Sequence, residues 1–434
     1  MSIELIGIIG ILLMFVLMFL RAPIAIAMAV PAFIGILYLK GWKTLGTAIE
    51  TIVWSHSFSY TMSTIPMFVL MGELLFVSGL SSELFDTFRK WLGRFKGGLA
   101  LATIGASSIF AAASGSSLAT TGTIGTIASK EMTKYGYDKS FSSGAIVAGG
   151  TLGILIPPST MFILYGMLTE QSIGKLLIAG ILPGIILTIL YMLTVSISVW
   201  MNGKLAPSSE KSTWKEKFIS LKPTIWIFLL FILVIGGMYV GWFSPTEAAS
   251  VGAFGAFVIA LVKRKLTFQV LVNAFNRTLK STGFLFAIIL AAFILNYFLA
   301  ITKVPMMLAN FFANVNLPPL GILACIILLY VLLGAVMDAF AMVVVTIPII
   351  LPVIDALGYD FIWFGVIIVL VVEMALITPP VGMNCFVLKG VVPELKLEEI
   401  FKGALRFVVP IIVMIILLIF FPEIALFLPE TMRG

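Results

Sequence analysis

Charged residues are scarce in this chain of 434 residues, and histidine and cysteine are almost absent. Only 11% of the residues are Asp, Glu, Lys or Arg, which is too few to cover the surface of a soluble globular protein. The single histidine, His56, excludes a metal site built from a histidine cluster. The two cysteines, Cys325 and Cys385, lie in apolar segments, so we interpret them as packing residues rather than a disulfide or metal pair.

Apolar residues make up most of the chain. They account for 61% of it, the mean hydropathy is +1.16, and runs long enough to cross a ~30 Å hydrocarbon core recur from end to end. This composition predicts an all-α polytopic membrane protein. The first run, Ile6–Leu20, follows Glu4 rather than a basic region and lacks a small-residue cleavage site, so we expect a retained span. The basic residues behind the net charge of +7 lie in loops between the apolar runs. Basic loops are typical of the cytoplasmic side of a membrane protein, so we prefer this interpretation to nucleic-acid binding.

A sequence pattern occurs twice in the chain, with an offset of 222 residues that holds without a gap from about residue 22 to about residue 160. In an apolar chain, such a duplication is typical of transporters built from repeats. The recurring pairs are Pro157-Pro158 and Pro379-Pro380, Gly136-Tyr137-Asp138 and Gly358-Tyr359-Asp360, and Ala22-Pro23 and Ser244-Pro245.

The two copies predict two repeats of the same build. Repeat 1 covers residues 1–202, with a hairpin at 97–129 and a broken helix at 141–169. A polar linker at 203–222 leads to repeat 2 at 223–434, with a hairpin at 318–354 and a broken helix at 361–388. The remaining predicted apolar stretches are 3–20, 22–39, 62–79, 174–200, 225–243, 245–262, 266–283, 284–301 and 404–421.

The stretch 97–129 carries no charge, is too long for one span and is interrupted at its centre by Ser114-Gly115-Ser116-Ser117. Basic residues flank both ends, so both ends belong on the cytoplasmic side and the stretch is predicted to be a re-entrant helical hairpin. The flanks of 318–354 lack a basic cluster, so this hairpin is expected to enter from the opposite face. The flanking residues are Arg89, Lys90, Arg94, Lys96, Lys130, Lys134 and Lys139 for the first hairpin, and Lys303, Asp355 and Asp360 for the second.

The number of crossings agrees with the charges. A re-entrant hairpin adds no crossing, so we expect five crossings per repeat, and an odd number makes the second repeat inverted. Both termini are then external, and Lys40 and Lys43 are the minority of basic residues placed outside. The basic residues placed inside are Lys204, Lys211, Lys215, Lys217, Lys222, Lys263, Arg264, Lys265 and Lys389.

The hairpin tips and broken helices are the predicted binding site, because unwound backbone survives at membrane depth only where it binds something or lines a cavity. Consecutive prolines remove amide donors, and the freed carbonyls with nearby hydroxyls suit a hard cation such as Na⁺, the only metal we expect. Helix N-termini at the same breaks favour an anion. The candidate Na⁺ ligands are Ser114, Gly115, Ser116, Gly153, Pro157, Asp338, Thr378, Pro379 and Gly382. The candidate substrate ligands are Ser117, Thr120, Thr151, Ser159, Glu373 and Asn384.

Two carboxylates lie deep in the second repeat. Asp338 lies at the predicted tip of the second hairpin, where we expect a cation ligand. Its counterpart at the 222-residue offset is Ser116. Glu373 corresponds to Thr151, and it is either a ligand or a carboxyl held neutral by burial. The alternative for a single Pro-Pro pair is a packed kink, and for a Gly/Ser run it is close helix packing. Four helix breaks, two in each copy of the repeat, favour a binding site over these packing explanations.

These motifs resemble the large membrane subunit of the tripartite ATP-independent periplasmic (TRAP) transporters over essentially the whole chain. The residues that carry the resemblance are the Ser-Gly-Ser-Ser hairpin, Gly153–Ser159 and Glu373–Gly382. The resemblance implies an elevator-type transport domain of hairpins and broken helices, Na⁺ as the driving ion, no other cofactor and no ATP. It also implies a separate four-helix membrane subunit, a periplasmic substrate-binding protein, and small organic anions such as sialic acids or C4-dicarboxylates. The expected location is the bacterial inner membrane, in contact with its lipids.

Two other functions would use parts of the same pattern. A stand-alone Na⁺- or H⁺-coupled anion transporter would have the same hairpins but need no binding protein. An intramembrane hydrolase would use Ser114 within Ala113-Ser114-Gly115, but it needs a base nearby. His56 is predicted to lie on the opposite face, so we expect no enzyme activity.

Overall fold

The computed structural model of the chain describes residues 2–208, 212–314, 317–334 and 336–433. Lys211 of the predicted linker and Ala335 beside the second predicted tip therefore lie outside the described residues. All regular secondary structure in the described ranges is helical. The fold class expected from the composition, an all-α membrane protein, is confirmed.

The first half contains ten α-helices and one short 3-10 turn, Tyr60–Ser63, among its described residues. The helices are α1 Ile3–Phe19, α2 Ile24–Ser57, α3 Thr64–Val77, α4 Leu80–Leu92, α5 Gly98–Ser114, α6 Ser117–Lys134, α7 Lys139–Leu155, α8 Thr160–Thr169, α9 Ile173–Ala179 and α10 Ile181–Met201.

The second half contains twelve α-helices in its described ranges, with a π-helical turn at Ile232–Gly236 and a 3-10 turn at Leu405–Phe407. The helices are α11 Trp214–Phe231, α12 Gly237–Val240, α13 Pro245–Val262, α14 Phe268–Thr302, α15 Val304–Asn314, α16 Pro319–Gly334, α17 Ala339–Ala356, α18 Phe361–Ala375, α19 Met383–Val391, α20 Leu397–Ala404, α21 Val408–Phe420 and α22 Glu423–Thr431.

Helix boundaries recur at the offset that relates the two sequence copies. Helix α6 (Ser117–Lys134) and α17 (Ala339–Ala356) begin and end at equivalent positions of the two copies. Helices α7 and α18 also begin at equivalent positions, each at an aspartate N-cap. Asp138 accepts a hydrogen bond from the Phe141 amide, and Asp360 accepts from two amides of the first turn of α18.

Nine helical segments among the described residues are long and apolar enough to cross a membrane, judged by length and composition. One boundary differs from the sequence prediction. The stretches 266–283 and 284–301 form the single helix α14 of 35 residues, which continues through Gly283 at their junction. In the first half, α2 likewise continues through 42–57, with a kink at Gly41.

Helices α7 and α18 form the centre of the molecule. In α7 every residue after Lys139 is buried, and in α18 every residue after Phe361 is buried. The outer helices instead carry exposed large apolar side chains, such as Leu12 on α1, Phe254 on α13 and Leu279 on α14. Such a surface is stable against lipid or against another apolar subunit, and not in water.

Contacts between segments that are distant in sequence fall into two sets. One set joins the basic segments: Glu83 pairs with Lys263, the Thr87 hydroxyl donates to the Ser220 carbonyl at 2.7 Å, and Gly97 N–H donates to the Ala206 carbonyl at 3.1 Å. The other set joins segments predicted to be external. The Tyr165 hydroxyl donates to the Phe361 carbonyl at 2.7 Å, and Arg433 N–H donates to the Tyr239 carbonyl at 3.1 Å. A cavity of about 450 Å³ in the second set is lined by residues that include His56, Glu170 and Ser244.

The repeated Gly-Tyr-Asp motif anchors the stretch of α5 and α6 at its base. The Tyr137 hydroxyl accepts a hydrogen bond from Leu99 N–H at 3.1 Å, so the segment after α6 is bonded to the beginning of α5. Burial raises the pKa of Tyr137 to about 12, although the bond to Leu99 opposes this shift. The hydroxyl therefore stays neutral at physiological pH.

Candidate functional site

The break between α5 and α6 is a tight turn stabilised by its own hydroxyls. Ser114 ends α5, Gly115 has φ +59°, and Ser116 is the N-cap of α6, where its side chain accepts from Ala119 N–H at 3.3 Å. The hydroxyls of Ser114 and Thr120 are hydrogen-bonded at 2.8 Å, and the Thr120 hydroxyl also bonds to the Ser116 carbonyl at 2.8 Å. The turn thus concentrates hydroxyl and carbonyl oxygens at one point.

This turn packs directly on the first Pro-Pro break. The Thr160 hydroxyl donates to the Gly115 carbonyl at 3.1 Å. A Cβ atom added to Gly115 would lie 2.5 Å from the Pro158 carbonyl oxygen, and one added to Gly153 would lie 2.5 Å from the Ser116 carbonyl oxygen. Only glycine allows these approaches, so the sequence itself makes the backbones of the tip and the broken helix meet.

Ser159 restarts the helix after Pro157-Pro158, whose peptide bond is cis. Its hydroxyl donates to the Ile154 carbonyl at 2.5 Å and accepts from Phe162 N–H at 3.3 Å. The side chain therefore bridges the end of α7 and the beginning of α8. The predicted substrate ligand Ser159 is fully buried and engaged in this bridge.

The second broken helix reaches the first tip through Asn384. Its side-chain amide donates to the Ser117 hydroxyl at 2.7 Å, and both residues are buried. The Asn384 side-chain oxygen is buried and has no hydrogen-bond partner among the described residues. A buried acceptor without a donor is costly, so it marks a place where a ligand or water completes the structure.

Asp338 begins α17 as Ser116 begins α6. Its Oδ1 atom accepts from Phe340 N–H at 3.0 Å and from Ala341 N–H at 3.2 Å, so the carboxylate is an N-cap. The two equivalent positions thus have one structural role and different charge. The described hydrogen bonds of Asp338 stay within the beginning of its own helix.

The two Pro-Pro breaks differ in exposure. Pro157 and Pro158 are buried, whereas Pro379 and Pro380 are exposed, with Thr378 partly buried beside them. Gly382, with φ +45°, begins α19 after the second break. The first tip and its broken helix are therefore closed around each other, while the second break faces open space.

Thr151 is hydrogen-bonded outside the tip, and Glu373 has no hydrogen-bond partner among the described residues. The Thr151 hydroxyl is 2.9 Å from that of Tyr191 on α10. All three residues are fully buried, and Thr151 and Glu373 lie near the ends of α7 and α18 that precede the two Pro-Pro breaks. The described hydrogen bonds of Thr151 do not include Ser117 or Asn384, with which Thr151 and Glu373 were grouped in the sequence prediction.

The structure therefore brings together Ser114–Ser117, Gly153, the Pro157–Thr160 segment and Asn384. Sequence reasoning did not select Thr160 or Tyr191. Thr160 directly follows the Pro-Pro-Ser motif, so its position could have identified it. Tyr191 lies in the middle of an apolar span, and no local signal distinguishes it.

The described residues hold no group of three or more His, Cys, Asp or Glu side chains placed to bind a metal ion. A cation at this site would have hydroxyl, carbonyl and amide oxygens as ligands, with at most a single carboxylate. The Ser114 hydroxyl is bonded to Thr120 and not to a basic group, which gives no support for the hydrolase alternative.

Comparison with known proteins identifies the family. Residues 11–424 match the model of "Tripartite ATP-independent periplasmic transporter, DctM component". The chain is 35% identical to the C4-dicarboxylate TRAP transporter large permease protein DctM of Pseudomonas aeruginosa, over 86% of each chain. It is 32% identical to the sialic acid TRAP transporter permease protein SiaT of Haemophilus influenzae, over 98% of this chain and 68% of the relative.

A solved structure supports the fold. The YdaH transporter of Alcanivorax borkumensis matches with a TM-score of 0.59 over 91% of this chain and 89% of its own, at 13% sequence identity. This likeness concerns the fold alone. Together with the family match and the helix lengths, it makes the chain a multi-pass membrane protein and a transporter component rather than an enzyme. The chain belongs to the DctM family, the large permease component of tripartite ATP-independent periplasmic transporters.

Proposed function

We propose that this chain imports a small organic anion of the sialic acid or C4-dicarboxylate class across the bacterial inner membrane, driven by Na⁺. The relatives named above for C4-dicarboxylates and sialic acid support this substrate class. The main observation behind the proposal is that the first tip contacts both the first Pro-Pro break and Asn384. It combines helix N-termini, clustered oxygens and an acceptor without a donor.

The oxygens around the first tip suit Na⁺, which moves as a co-transported ion. Hard cations prefer oxygen ligands, and the turn offers the Ser114 and Thr120 hydroxyls and the Ser116 carbonyl within one hydrogen-bonded unit. A second cation beside Asp338 would meet a full negative charge. Two Na⁺ sites related by the sequence offset but unequal in charge are the proposed arrangement.

The substrate anion is held without a basic side chain. No Lys or Arg occurs in the charge-free core of the first hairpin, 97–129, or in its counterpart 318–354. The N-termini of α6 and α8, capped by Ser116 and Ser159, and the amide of Asn384 supply partial positive charge instead. Bound Na⁺ adds the rest, so anion binding depends on the cation.

The two inverted repeats with re-entrant hairpins are proposed as the machinery of movement. The helix boundaries that recur at equivalent positions of the two copies support the repeat, and the two separate sets of loop contacts support its inverted topology. In an elevator mechanism, the hairpins and broken helices move together past the remaining helices. The buried α7 and α18 would be the rigid centre of the moving part.

Two protein partners are part of the proposal, because a tripartite transporter needs them. A four-helix membrane subunit would cover apolar side chains of the outer helices, such as Leu12 and Leu279. A periplasmic binding protein would deliver the substrate on the external side.

The test is uptake into proteoliposomes that contain this chain and its small subunit, with labelled sialic acid and labelled C4-dicarboxylate as probes. Uptake of one probe is expected only with the binding protein present and an inward Na⁺ gradient. K⁺ in place of Na⁺ and omission of the binding protein are the controls. Full-rate uptake without the binding protein would favour the stand-alone carrier, and uptake that follows a pH gradient instead would exclude Na⁺ as the driving ion.

A further inference from the structure

Lys217 carries a buried ammonium group that has no anionic partner among the described residues. It lies in the first turn of α11, only 6% of its surface is exposed, and the ion pairs of the described ranges do not include it. Its described hydrogen bonds are made by its backbone, and its carbonyl accepts from the Trp91 indole N–H at 3.2 Å. Burial of a charge without a counter-ion is costly, and an anion bound here would remove that cost.

Aromatic rings surround this ammonium. Its Nζ atom lies 4.8 Å from the ring centroid of Trp214 and 5.9 Å from that of Trp91. Phe218 completes the cluster, with its ring centroid 5.9 Å from that of Trp91. Cation–π attraction offsets part of the desolvation cost but leaves the positive charge unbalanced. Lysines at a membrane surface usually extend their ammonium into water, whereas this one lies against the rings.

The carboxylates of the two helices that meet here are engaged elsewhere. Glu83 of α4 pairs with a lysine at the end of α13. Asp86 of α4 pairs with two basic residues of its own helix, at 2.7 Å each. Glu216 of α11 caps the beginning of its own helix. The helices that form the site therefore do not supply the anion.

The position of the cluster suits a phospholipid. Trp214 is 66% exposed and Phe218 is 60% exposed, and both lie on one face of α11 with Ile225, which is 49% exposed. This face belongs to the segment Trp214–Val240, which is long and apolar enough to cross a membrane. Tryptophan at the end of such a segment is typical of the headgroup region. A phosphate beside Lys217 would thus place its acyl chains along Phe218 and Ile225.

We propose that Lys217 and Trp214 bind the headgroup phosphate of an anionic phospholipid at the junction of α4 and α11. The ammonium donates to one phosphate oxygen, and the exposed indole N–H of Trp214 donates to another. The acyl chains cover the apolar face of α11. The lipid fastens α11 to α4, and α4 in turn contacts α6 through the ion pair of Arg89 with Glu131 at 3.7 Å.

The test is the melting temperature of the purified complex of this chain with its small subunit, measured with phosphatidylglycerol, phosphatidylcholine or inorganic phosphate. Phosphatidylglycerol should raise it, because a ligand that binds the folded state stabilises that state. Phosphatidylcholine has no net charge and inorganic phosphate has no acyl chains, so neither should do so at the same concentration. An equal rise with inorganic phosphate would indicate a site for free anions, and an equal rise with phosphatidylcholine would exclude recognition of charge. Either result would overturn the proposal.

Variants locate the effect. Lys217→Gln should lose the rise caused by phosphatidylglycerol, because it loses the charge that attracts the phosphate. Lys215→Gln, which changes an exposed lysine of the same turn, is the matched control and should keep it. Trp214→Ala should reduce the rise, and it serves as the test if Lys217→Gln does not fold, since Trp214 is mostly exposed. A rise that is the same in all these variants would contradict the assignment.

Mass spectrometry of the lipids that co-purify with the complex covers a site that stays occupied during purification. The wild type and Lys215→Gln should retain phosphatidylglycerol, and Lys217→Gln should lose it. Equal retention in all three, with no rise in melting temperature, would refute a lipid site and favour an acidic side chain of the small subunit at this ammonium. None of these readouts uses transport, so they fail independently of the proposed import function.

Discussion

The side-chain amide of Asn384 donates a 2.7 Å hydrogen bond to the hydroxyl of Ser117, across 267 residues of sequence. Asn384 lies in the first turn of α19, just after the second Pro-Pro break, and Ser117 is the first residue of the helix after the first tip. One bond therefore joins the two halves of the chain at the candidate site. It also fixes the amide whose oxygen has no described partner.

Removal of this bond should weaken substrate binding. Asn384→Ala is expected to raise the KM of uptake about 5- to 10-fold, since a buried hydrogen bond contributes about 1 kcal/mol and a ligand contact is lost with it. Ser117→Ala should have a smaller effect, and the double variant less than the sum of both, because each change breaks the same bond. Asn202→Ala, in an exposed loop, is the control, and an equal effect there would contradict the assignment.

Gly115 should not tolerate a side chain. Gly115→Ala introduces strain at φ +59° and places a Cβ 2.5 Å from the Pro158 carbonyl oxygen. Gly136→Ala is a matched control, because Gly136 has φ +72° but nothing within 4 Å of an added Cβ. The backbone strain costs about 1–2 kcal/mol in both variants, and only Gly115→Ala adds the clash with Pro158. Gly115→Ala should therefore lower the melting temperature more than Gly136→Ala, and it should abolish uptake. Equal melting temperatures would show that the tip does not pack on the Pro-Pro break.

Asp338→Asn should lower the Na⁺ affinity of uptake more than Ser116→Ala does. Asparagine is as good an N-cap as aspartate, so Asp338→Asn removes the charge and keeps the beginning of α17. Ser116→Ala removes a cap worth about 0.5–2 kcal/mol but only a dipole from the cation site. Uptake measured against Na⁺ concentration separates the two, and an unchanged half-saturation in Asp338→Asn would remove this residue from the site.

Cysteine labelling tests the proposed topology. In a background of Cys325→Ser and Cys385→Ser, single cysteines at the exposed positions Arg94 and Lys134 should react only from the cytoplasm. Cysteines at Lys303 and Asp355, also exposed, should react only from outside. Reaction of both pairs from one face would contradict the inverted repeat.

Local signals in the sequence predicted much of the helical framework. The serine-rich break at 114–117 and the Pro-Pro breaks interrupt helices at the predicted places, because these residues carry caps and remove amide donors. The boundary predicted near residue 284 is absent, since apolar runs alone do not reveal where a long helix stops.

Long-range packing could not be predicted in the same way. Nothing near Thr151 in the sequence indicates that Tyr191, 40 residues later, lies against it. The same holds for the Asn384–Ser117 bond. The different exposure of Pro157 and Pro379 also depends on what surrounds each motif, because the motifs themselves are alike.

In the proposed elevator mechanism, the first tip moves relative to α3 during transport. Met71 on α3 and Ala112 on α5 line one narrow crevice there, and a Cβ added to the neighbouring Gly72 would lie 3.0 Å from the Ala113 carbonyl. A short thiol cross-linker between Met71→Cys and Ala112→Cys, in the cysteine-free complex, should stop Na⁺-driven uptake. Each single variant should remain active after treatment, and cleavage of the linker should restore transport. Full-rate uptake by the cross-linked complex would contradict the account, because the tip would then transport without moving.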